Sequence, residues 1–187
     1  MKIAVIGHSF AVDNEGWPSM LGVAQENNFA QKGVSEAKLY MQYLKIRDEH
    51  WDKIIVCHSN PCALYTPHHP VHHNKKERAQ TDWILGDIEY HRHRDKEMQS
   101  VFEYLSKYSD PHYEYIVFDL FLDKMLQIPN SIHITFREDL DKMISTEWIK
   151  KIENNFNKIW VMNQGKINHM DIEGNTQVAK QLENVIQ

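Results

Sequence analysis

The stretch that decides the interpretation of this chain lies at its start, in Lys2-Ile3-Ala4-Val5-Ile6-Gly7-His8-Ser9-Phe10. The apolar run before Gly7 predicts a buried strand of a parallel sheet, because such strands are covered on both faces. Gly7 permits a tight turn after that strand, and Ser9 falls on the turn. Near the other end of the chain, His169 directly precedes a predicted helix. A serine and a histidine in these two positions can meet as nucleophile and base.

Strand-like and helix-like segments alternate along the rest of the chain. The further strand candidates are Lys53 to Cys57, Tyr113 to Leu120 and Ser131 to Thr135. Apolar residues at helical spacing predict a helix that runs to about Trp51, with an inward stripe of Val34, Ala37, Met41 and Leu44. The same spacing predicts a terminal helix that buries Val178, Leu182 and Val185, and a long charged helix over Asp87 to Tyr108 that turns Ile88, Met98, Val101, Phe102 and Leu105 inward. This alternation predicts an α/β fold, a three-layer sandwich around a mostly parallel central sheet with right-handed crossovers.

Length and composition set further expectations. With 187 residues, 42% of them hydrophobic, the chain is expected to form one domain over residues 1–187. A net charge of -5 argues against nucleic acid as a partner, because phosphate binding needs a surplus of Lys and Arg. The apolar run at the start is too short for a signal peptide or a membrane span, so we expect a cytoplasmic protein. Cys57 and Cys62 are expected to be reduced thiols there.

The segment from about 61 to 86 breaks the alternation. It contains three prolines and a cluster of four histidines, and it has few periodic apolar residues; the histidines are His68, His69, His72 and His73. Such a stretch predicts a long loop or small cap that borders the functional site. Histidines with nearby carboxylates can hold a transition metal, but a proline-broken, exposed stretch favours a solvated polar loop. We therefore predict neither a metal nor a cofactor.

Four short blocks, in order, resemble those of the SGNH (GDSL-type) hydrolase superfamily. They are Gly7-His8-Ser9-Phe10, the glycine of Gln31-Lys32-Gly33-Val34-Ser35, the asparagine of Cys57-His58-Ser59-Asn60-Pro61, and Asn168-His169-Met170-Asp171-Ile172-Glu173-Gly174-Asn175. A Gly-x-Ser-Phe opening followed by Trp17-Pro18-Ser19-Met20-Leu21 is similar to bacterial and phage members. The resemblance covers essentially the whole chain and implies a flavodoxin-like arrangement of the sheet.

The resemblance also implies roles for individual residues. Ser9 would be the nucleophile and His169 the base. The backbone N–H groups of Ser9 and Gly33 and the side-chain amide of Asn60 would form the oxyanion hole. The implied reaction is hydrolysis of a carboxylic ester with a short acyl or acetyl group. The implied partner is a small-molecule or glycan ester, with no membrane and no cofactor involved.

Some positions depart from the family pattern. The family's acid lies three residues before the histidine, where this chain has Lys166, and a lysine cannot accept the ring N–H of the base. Asp171 is a possible substitute acid, although it also stands where the last helix needs an N-cap. His8 and Pro61 replace residues that the family usually has. The missing acid leaves open a catalytically silent module that binds a carbohydrate or a protein.

The first turn allows two other interpretations. Ser9 can simply cap a helix after the first strand. The strand also resembles the opening of a dinucleotide-binding unit, but that site needs the pattern G-x-G-x-x-G, and the residues after Gly7 are His8, Ser9, Phe10, Ala11 and Val12.

Overall fold

The structure is a computed structural model that describes residues 1–12, 15–59, 63–67, 81–84, 96–108, 110–136, 154–165 and 169–187. The strands in these ranges are β1 (Ile3–Gly7), β2 (Lys53–Cys57), β3 (Ala63–Leu64), β4 (Trp83–Ile84), β5 (Ser131–Thr135) and β6 (Asn154–Asn155). The α-helices are α1 (Trp17–Met20), α2 (Glu36–Ile46), α3 (Lys96–Tyr108), α4 (Pro111–Leu126), α5 (Asn157–Met162) and α6 (Ile172–Ile186). Single turns of 3-10 helix lie at Ser9–Ala11 and Gln25–Asn27.

The main sheet has four strands in the order β1-β2-β5-β6, and every neighbouring pair is parallel. A parallel bridge from Val5 to Asn28 extends it beyond β1. The predicted strands Ile3 to Ile6, Lys53 to Cys57 and Ser131 to Thr135 are confirmed, and so is the α/β class with a parallel sheet. Because all carboxyl ends point the same way, the residues after β1 and β2 meet at one edge.

The sheet is buried on both faces. One face packs against α2 and α4 through a cluster that includes Ala4, Ile6, Leu39, Val56 and Met125. The other packs against α6 through a cluster that includes Val5, Ile55, Ile134, Val178 and Leu182. This is the layering expected of a parallel sheet with helical crossovers.

The prediction of a strand over Tyr113 to Leu120 is wrong, because this segment lies within helix α4. The Asp110 side chain accepts the His112 N–H at 2.9 Å, and Pro111 occupies the first helical position, so the sequence carries a strong helix start. Along the helix, Phe118, Leu122 and Met125 are buried, while Tyr113, Ile116 and Leu120 are exposed. The buried residues follow helical spacing, but the apolar residues between them made this spacing undetectable in the sequence.

The helix predicted to run to about Trp51 ends at Ile46, and its inward face differs from the prediction. Val34, just before α2, is buried as predicted. Met41 and Leu44 are exposed, whereas the buried positions of α2 are Glu36, Lys38, Leu39, Gln42 and Ile46. Three of these five side chains are polar or charged. The helix thus turns polar groups toward the end of the sheet, where the candidate site lies.

The remaining helix predictions are confirmed in part. Within the predicted helix Asp87 to Tyr108, the structure describes α3, in which Met98 is buried and packs with Val101, Phe102 and Leu105. In α6, Val178 and Leu182 are buried as predicted, but Val185 is 44% exposed and Ile186 is buried instead. No helix in the described ranges combines the length and apolarity that a membrane crossing requires.

Candidate functional site

The first segment of the candidate site is the turn after β1. Gly7 is required there, because a Cβ on this residue would lie 2.6 Å from the Cβ of Cys57 on the neighbouring strand. The Gln42 side chain accepts the Gly7 N–H at 2.8 Å and donates to the Gly7 carbonyl at 3.2 Å. Ser9 then begins a single turn of 3-10 helix, so its N–H has no acceptor within that turn. A buried glutamine from α2 thus fixes the residue from which the serine turn departs.

Phe10 links the serine turn to His169. Its ring stacks on Phe136 with the centroids 4.9 Å apart, and it lies 5.4 Å from the ring of His169. The edge of Trp160 completes the contact at 5.7 Å. Within the described part of the chain, no hydrogen bond joins the Ser9 hydroxyl to the His169 ring. The two predicted catalytic residues are therefore brought to the same end of the sheet without being in direct hydrogen-bond contact.

His169 lies three residues before α6. Gln164 and Met170 form an antiparallel bridge, and the Gly165 N–H donates to the His169 carbonyl at 2.6 Å. Asp171 then caps α6, since its side chain accepts the Gly174 N–H at 2.8 Å. The N-cap interpretation of Asp171 is confirmed. Lys166, at the position where the SGNH pattern has an acid, is outside the described residues.

The second segment is the loop that leads into α2. Its Gly33 has a left-handed φ of 58°, a conformation that favours glycine. The Gln31 N–H donates to the Gly7 carbonyl at 3.0 Å, which ties this loop to the end of β1. The Gly33 carbonyl accepts the Asp82 N–H at 2.6 Å, and Thr81 packs against the glycine. The loop of Gly33 is therefore held between the end of β1 and the segment that carries Thr81 and Asp82.

The third segment follows β2. Asn60, the predicted amide donor of the oxyanion hole, is outside the described residues, but Ser59 before it is buried and well anchored. The Ser59 N–H donates to Glu36 Oε2 at 3.1 Å, and the Ser59 hydroxyl donates to the Val34 carbonyl. Two side-by-side segments, one following Gly33 and one preceding Asn60, are thus fastened to each other.

A buried chain of hydrogen bonds runs beneath these segments. His58 Nδ1 lies 2.6 Å from Glu36 Oε1, and His58 Nε2 lies 2.8 Å from His133 Nδ1. His133 Nε2 lies 2.7 Å from the hydroxyl of Ser131, which donates to the Ile128 carbonyl at 2.7 Å. Burial and the nearby His58 lower the pKa of His133 to about 3, so this ring is neutral at pH 7. The exposed fractions of Glu36, His58 and His133 are 2%, 0% and 8%.

A buried ion pair fastens the β3–β4 hairpin to α2. Lys38 Nζ lies 2.7 Å from Asp82 Oδ1 and donates to the Thr66 carbonyl at 2.8 Å. The Asp82 carboxylate also accepts the N–H groups of Ser35 at 2.6 Å and of Thr66 at 2.8 Å. With three donors, this carboxylate is compensated despite its burial.

The structure also bears on the cysteine and metal predictions. Cys57 is a free, buried thiol, and burial raises its pKa, which makes it a poor nucleophile. Among the described residues, no group of three metal-ligating side chains is arranged to hold an ion. The histidines from His68 to His73 lie outside those residues, so their predicted role as a solvated loop stays a prediction.

Sequence reasoning missed the buried polar residues of this site, namely Glu36, Lys38, Gln42, His58, Asp82 and His133. A signal was present for one pair. His133 interrupts an apolar strand at a position whose partner in the register is the buried Val56, and His58 follows β2 two residues after Val56. Alternation along a strand therefore places both histidines on the same face of the sheet. The carboxylate partner could not be found this way, since it comes from α2.

Comparison of the chain with protein-family models, with curated proteins and with solved structures finds no match.

Proposed function

We propose that this protein is an SGNH-type serine esterase that hydrolyses a carboxylic ester with a short acyl or acetyl group. The observation that carries the proposal is the contact between Phe10 and His169, whose ring centroids are 5.4 Å apart. It brings the ring of a histidine next to the residue that follows Ser9. Gly33 supports the proposal, because Gln31 ties its loop to the end of the same strand.

In the proposed reaction, the Ser9 hydroxyl attacks the acyl carbon while His169 accepts the hydroxyl proton. The N–H groups of Ser9 and Gly33, with the Asn60 amide, donate to the oxyanion that forms. The bond between the acyl carbon and the alcohol oxygen breaks, and His169 returns the proton to the leaving alcohol. Water then attacks the acyl-enzyme with His169 as base, which releases the acid and restores Ser9.

Catalytic hydrogen bonds are often long without substrate and shorten in the complex, so a Ser9 hydroxyl that is not hydrogen-bonded to His169 in the described structure is compatible with this mechanism. Because Lys166 stands where the SGNH pattern has its acid, we expect a slow enzyme. We place the reaction in the cytoplasm, where the Cys57 thiol stays reduced.

The test is hydrolysis of p-nitrophenyl acetate combined with labelling by a fluorophosphonate, read by intact mass. We expect turnover and a single adduct on the wild-type protein, and neither on Ser9→Ala. Ser19→Ala is the matched control, because Ser19 is exposed on α1 and should leave both readouts unchanged. Absence of turnover and of the adduct in the wild type would overturn the esterase and favour the silent binding module.

A further inference from the structure

The buried chain from Glu36 to Ser131 allows its protons to be counted. A carbonyl oxygen can only accept, so the 2.7 Å contact between Ser131 and Ile128 requires the Ser131 hydrogen to point at Ile128. The Ser131 oxygen must then accept from His133 Nε2, which places the hydrogen of this neutral ring on Nε2. His133 Nδ1 is therefore an acceptor, and His58 Nε2 donates to it.

One proton then remains for the contact between His58 and Glu36. His58 Nδ1 and Glu36 Oε1 are 2.6 Å apart, a distance that requires a hydrogen between them. Since Nε2 of His58 already carries a hydrogen, this pair holds one proton more than an ionised glutamate beside a neutral histidine. The four hydrogen-bonded side chains, Glu36, His58, His133 and Ser131, therefore carry no net charge together, whichever of the two atoms the proton is nearer.

A second proton arrangement would satisfy the histidines but not the serine. In it Glu36 is ionised, both rings carry their hydrogens on Nδ1, and the Ser131 hydroxyl donates to His133. The oxygens of Ser131 and Ile128 would then face each other at 2.7 Å with no hydrogen between them. The observed contact disfavours this arrangement.

The hydrogen-bonded row of side chains contacts the segments that carry the proposed oxyanion donors. Glu36 Oε1 faces His58, while Oε2 accepts the N–H of Ser59, the residue before Asn60. The hydroxyl of Ser59 donates to the carbonyl of Val34, the residue after Gly33. Glu36 thus holds Ser59, and Ser59 in turn is bonded to the segment that follows Gly33.

We propose that Glu36, His58 and His133 are positioning residues, and that the proton shared by Glu36 and His58 holds the segments of Gly33 and Ser59 in register. The kinetic part of this inference rests on the proposed function. The structural part does not rest on it, because the position of the proton and the conformation of the two segments can be measured without a substrate.

Other ionisable groups surround the chain. Lys38 and Asp82 form their own pair beside the first turn of α2, and the neutral thiol of Cys57 precedes His58. From α4, Glu114 lines with Glu36 a cavity of about 260 Å³, and its pKa is raised by burial and by Asp110. None of these groups is among the hydrogen-bond partners that the described residues supply to Glu36, His58 and His133.

The first experiment is nitrogen-15 NMR of the imidazole rings at pH 7 in the full-length wild type and in Glu36→Gln. A glutamine can donate its amide hydrogen to His58 Nδ1 and accept the Ser59 N–H, so it imitates a protonated Glu36. We expect His133 to carry its hydrogen on Nε2 in both proteins. A His133 hydrogen on Nδ1 in the wild type, moving to Nε2 in the variant, would overturn the proposal.

The second experiment compares Glu36→Gln with Glu36→Ala by the NMR signals of the Gly33 N–H and the Asn60 side-chain amide. We expect Glu36→Gln to leave both signals near their wild-type positions and Glu36→Ala to displace or broaden both. Equal spectra for the two variants would refute the positioning role. If Glu36→Ala does not fold, the spectra of Glu36→Gln and the wild type decide alone, and displaced signals in Glu36→Gln refute it.

Kinetics separate this inference from the proposed function. On p-nitrophenyl acetate we expect Glu36→Ala to lower kcat by about 10²-fold with KM changed less than about threefold, because small displacements of catalytic donors have effects of that size. Glu36→Gln should stay within about threefold of the wild type in both. A wild type without turnover contradicts the esterase but leaves the NMR result standing. A loss confined to KM contradicts the positioning role.

Discussion

Gly22 and Gly33 both have left-handed backbone conformations, with φ of 72° and 58°, yet their surroundings differ. A Cβ on Gly22 would meet nothing within 4 Å, whereas on Gly33 it would lie 3.2 Å from the Cβ of Thr81. Gly22→Ala should therefore lower the free energy of unfolding by about 1–2 kcal/mol through backbone strain alone. Gly33→Ala should lower it further and also reduce kcat on p-nitrophenyl acetate. Urea unfolding checks the first effect, and equal losses in the two variants would contradict the contact with Thr81.

Lys166 offers a direct test of the missing acid. Lys166→Asp places an aspartate where the SGNH pattern has its acid. Disabling the aspartate of a related triad lowers kcat by about 10⁴-fold. We expect Lys166→Asp to raise kcat at least about tenfold above neutral pH. The gain should shrink at lower pH, because a carboxylate favours the protonated form of His169, which cannot accept the Ser9 proton.

Two control variants accompany this measurement. Lys158→Asp makes the same charge change at an exposed position of α5 and should leave kcat unchanged. Asp171→Asn keeps an N-cap on α6 but removes the carboxylate, so it should also leave kcat unchanged. A large loss in Asp171→Asn, with no gain in Lys166→Asp, would mean that Asp171 serves as the acid.

At the scale of elements, α2 shows which leucines stabilise the fold. Leu39 is fully buried against the sheet, and Leu44, on the same helix, is 37% exposed. Leu39→Ala should lower the free energy of unfolding by about 2–5 kcal/mol, because it removes buried methyl groups and leaves a cavity. Leu44→Ala should lower it by about 0.5 kcal/mol or less. Thermal or urea unfolding measures both, and similar losses would mean that α2 presents the face its apolar pattern predicted.

The sequence was sufficient for three sheet strands and for the helix that ends the chain. A run such as Ile54-Ile55-Val56 has few alternatives to a buried parallel strand. It was insufficient for α4, because Tyr115-Ile116-Val117-Phe118 is apolar at every position and conceals the helical period that Phe118, Leu122 and Met125 follow. The Asp110-Pro111 start was the signal that could have decided between them.

The inward face of α2 also could not be predicted from the spacing of apolar residues. Glu36, Lys38 and Gln42 are buried because each finds a partner from another element: His58 after β2, Asp82 before β4, and Gly7 at the end of β1. Burial of polar groups depends on such partners, which no local window of sequence contains. For the same reason Ser9, Gly33 and His169 could be proposed as candidates from the chain, whereas the buried polar residues that anchor the segments of Gly7 and Ser59 could not.

At the scale of the whole molecule, His133 makes stability depend on pH. Its pKa is about 3 in the folded protein, below the ordinary value of about 6.5 in an unfolded chain. The unfolded chain therefore binds the extra proton, and stability is full above about pH 6.5 and falls as the pH drops toward 3. One such group contributes a slope of about 1.4 kcal/mol per pH unit from about pH 6 to 4.

The variant His133→Gln isolates this contribution. A glutamine keeps an acceptor and a donor at residue 133 but does not titrate, so we expect the slope between about pH 6 and 4 to fall by about 1.4 kcal/mol per pH unit. His50→Gln is the matched control, because the side chain of His50 is 90% exposed. Urea unfolding at several pH values measures both slopes. An unchanged slope in His133→Gln would mean that the folded protein protonates this ring readily.

The bond from the Ser35 N–H to the Asp82 carboxylate has a consequence for hydrogen exchange. This amide precedes α2, yet its acceptor stands 47 residues further along the chain. It can exchange with deuterium only when Asp82 moves away, so its rate measures how often the segment carrying Asp82 separates from α2. The neighbouring amide of Leu39, bonded to Ser35 inside the helix, reports instead on fraying of α2 itself. Two amides four positions apart therefore distinguish the opening of a distant segment from the melting of a local one.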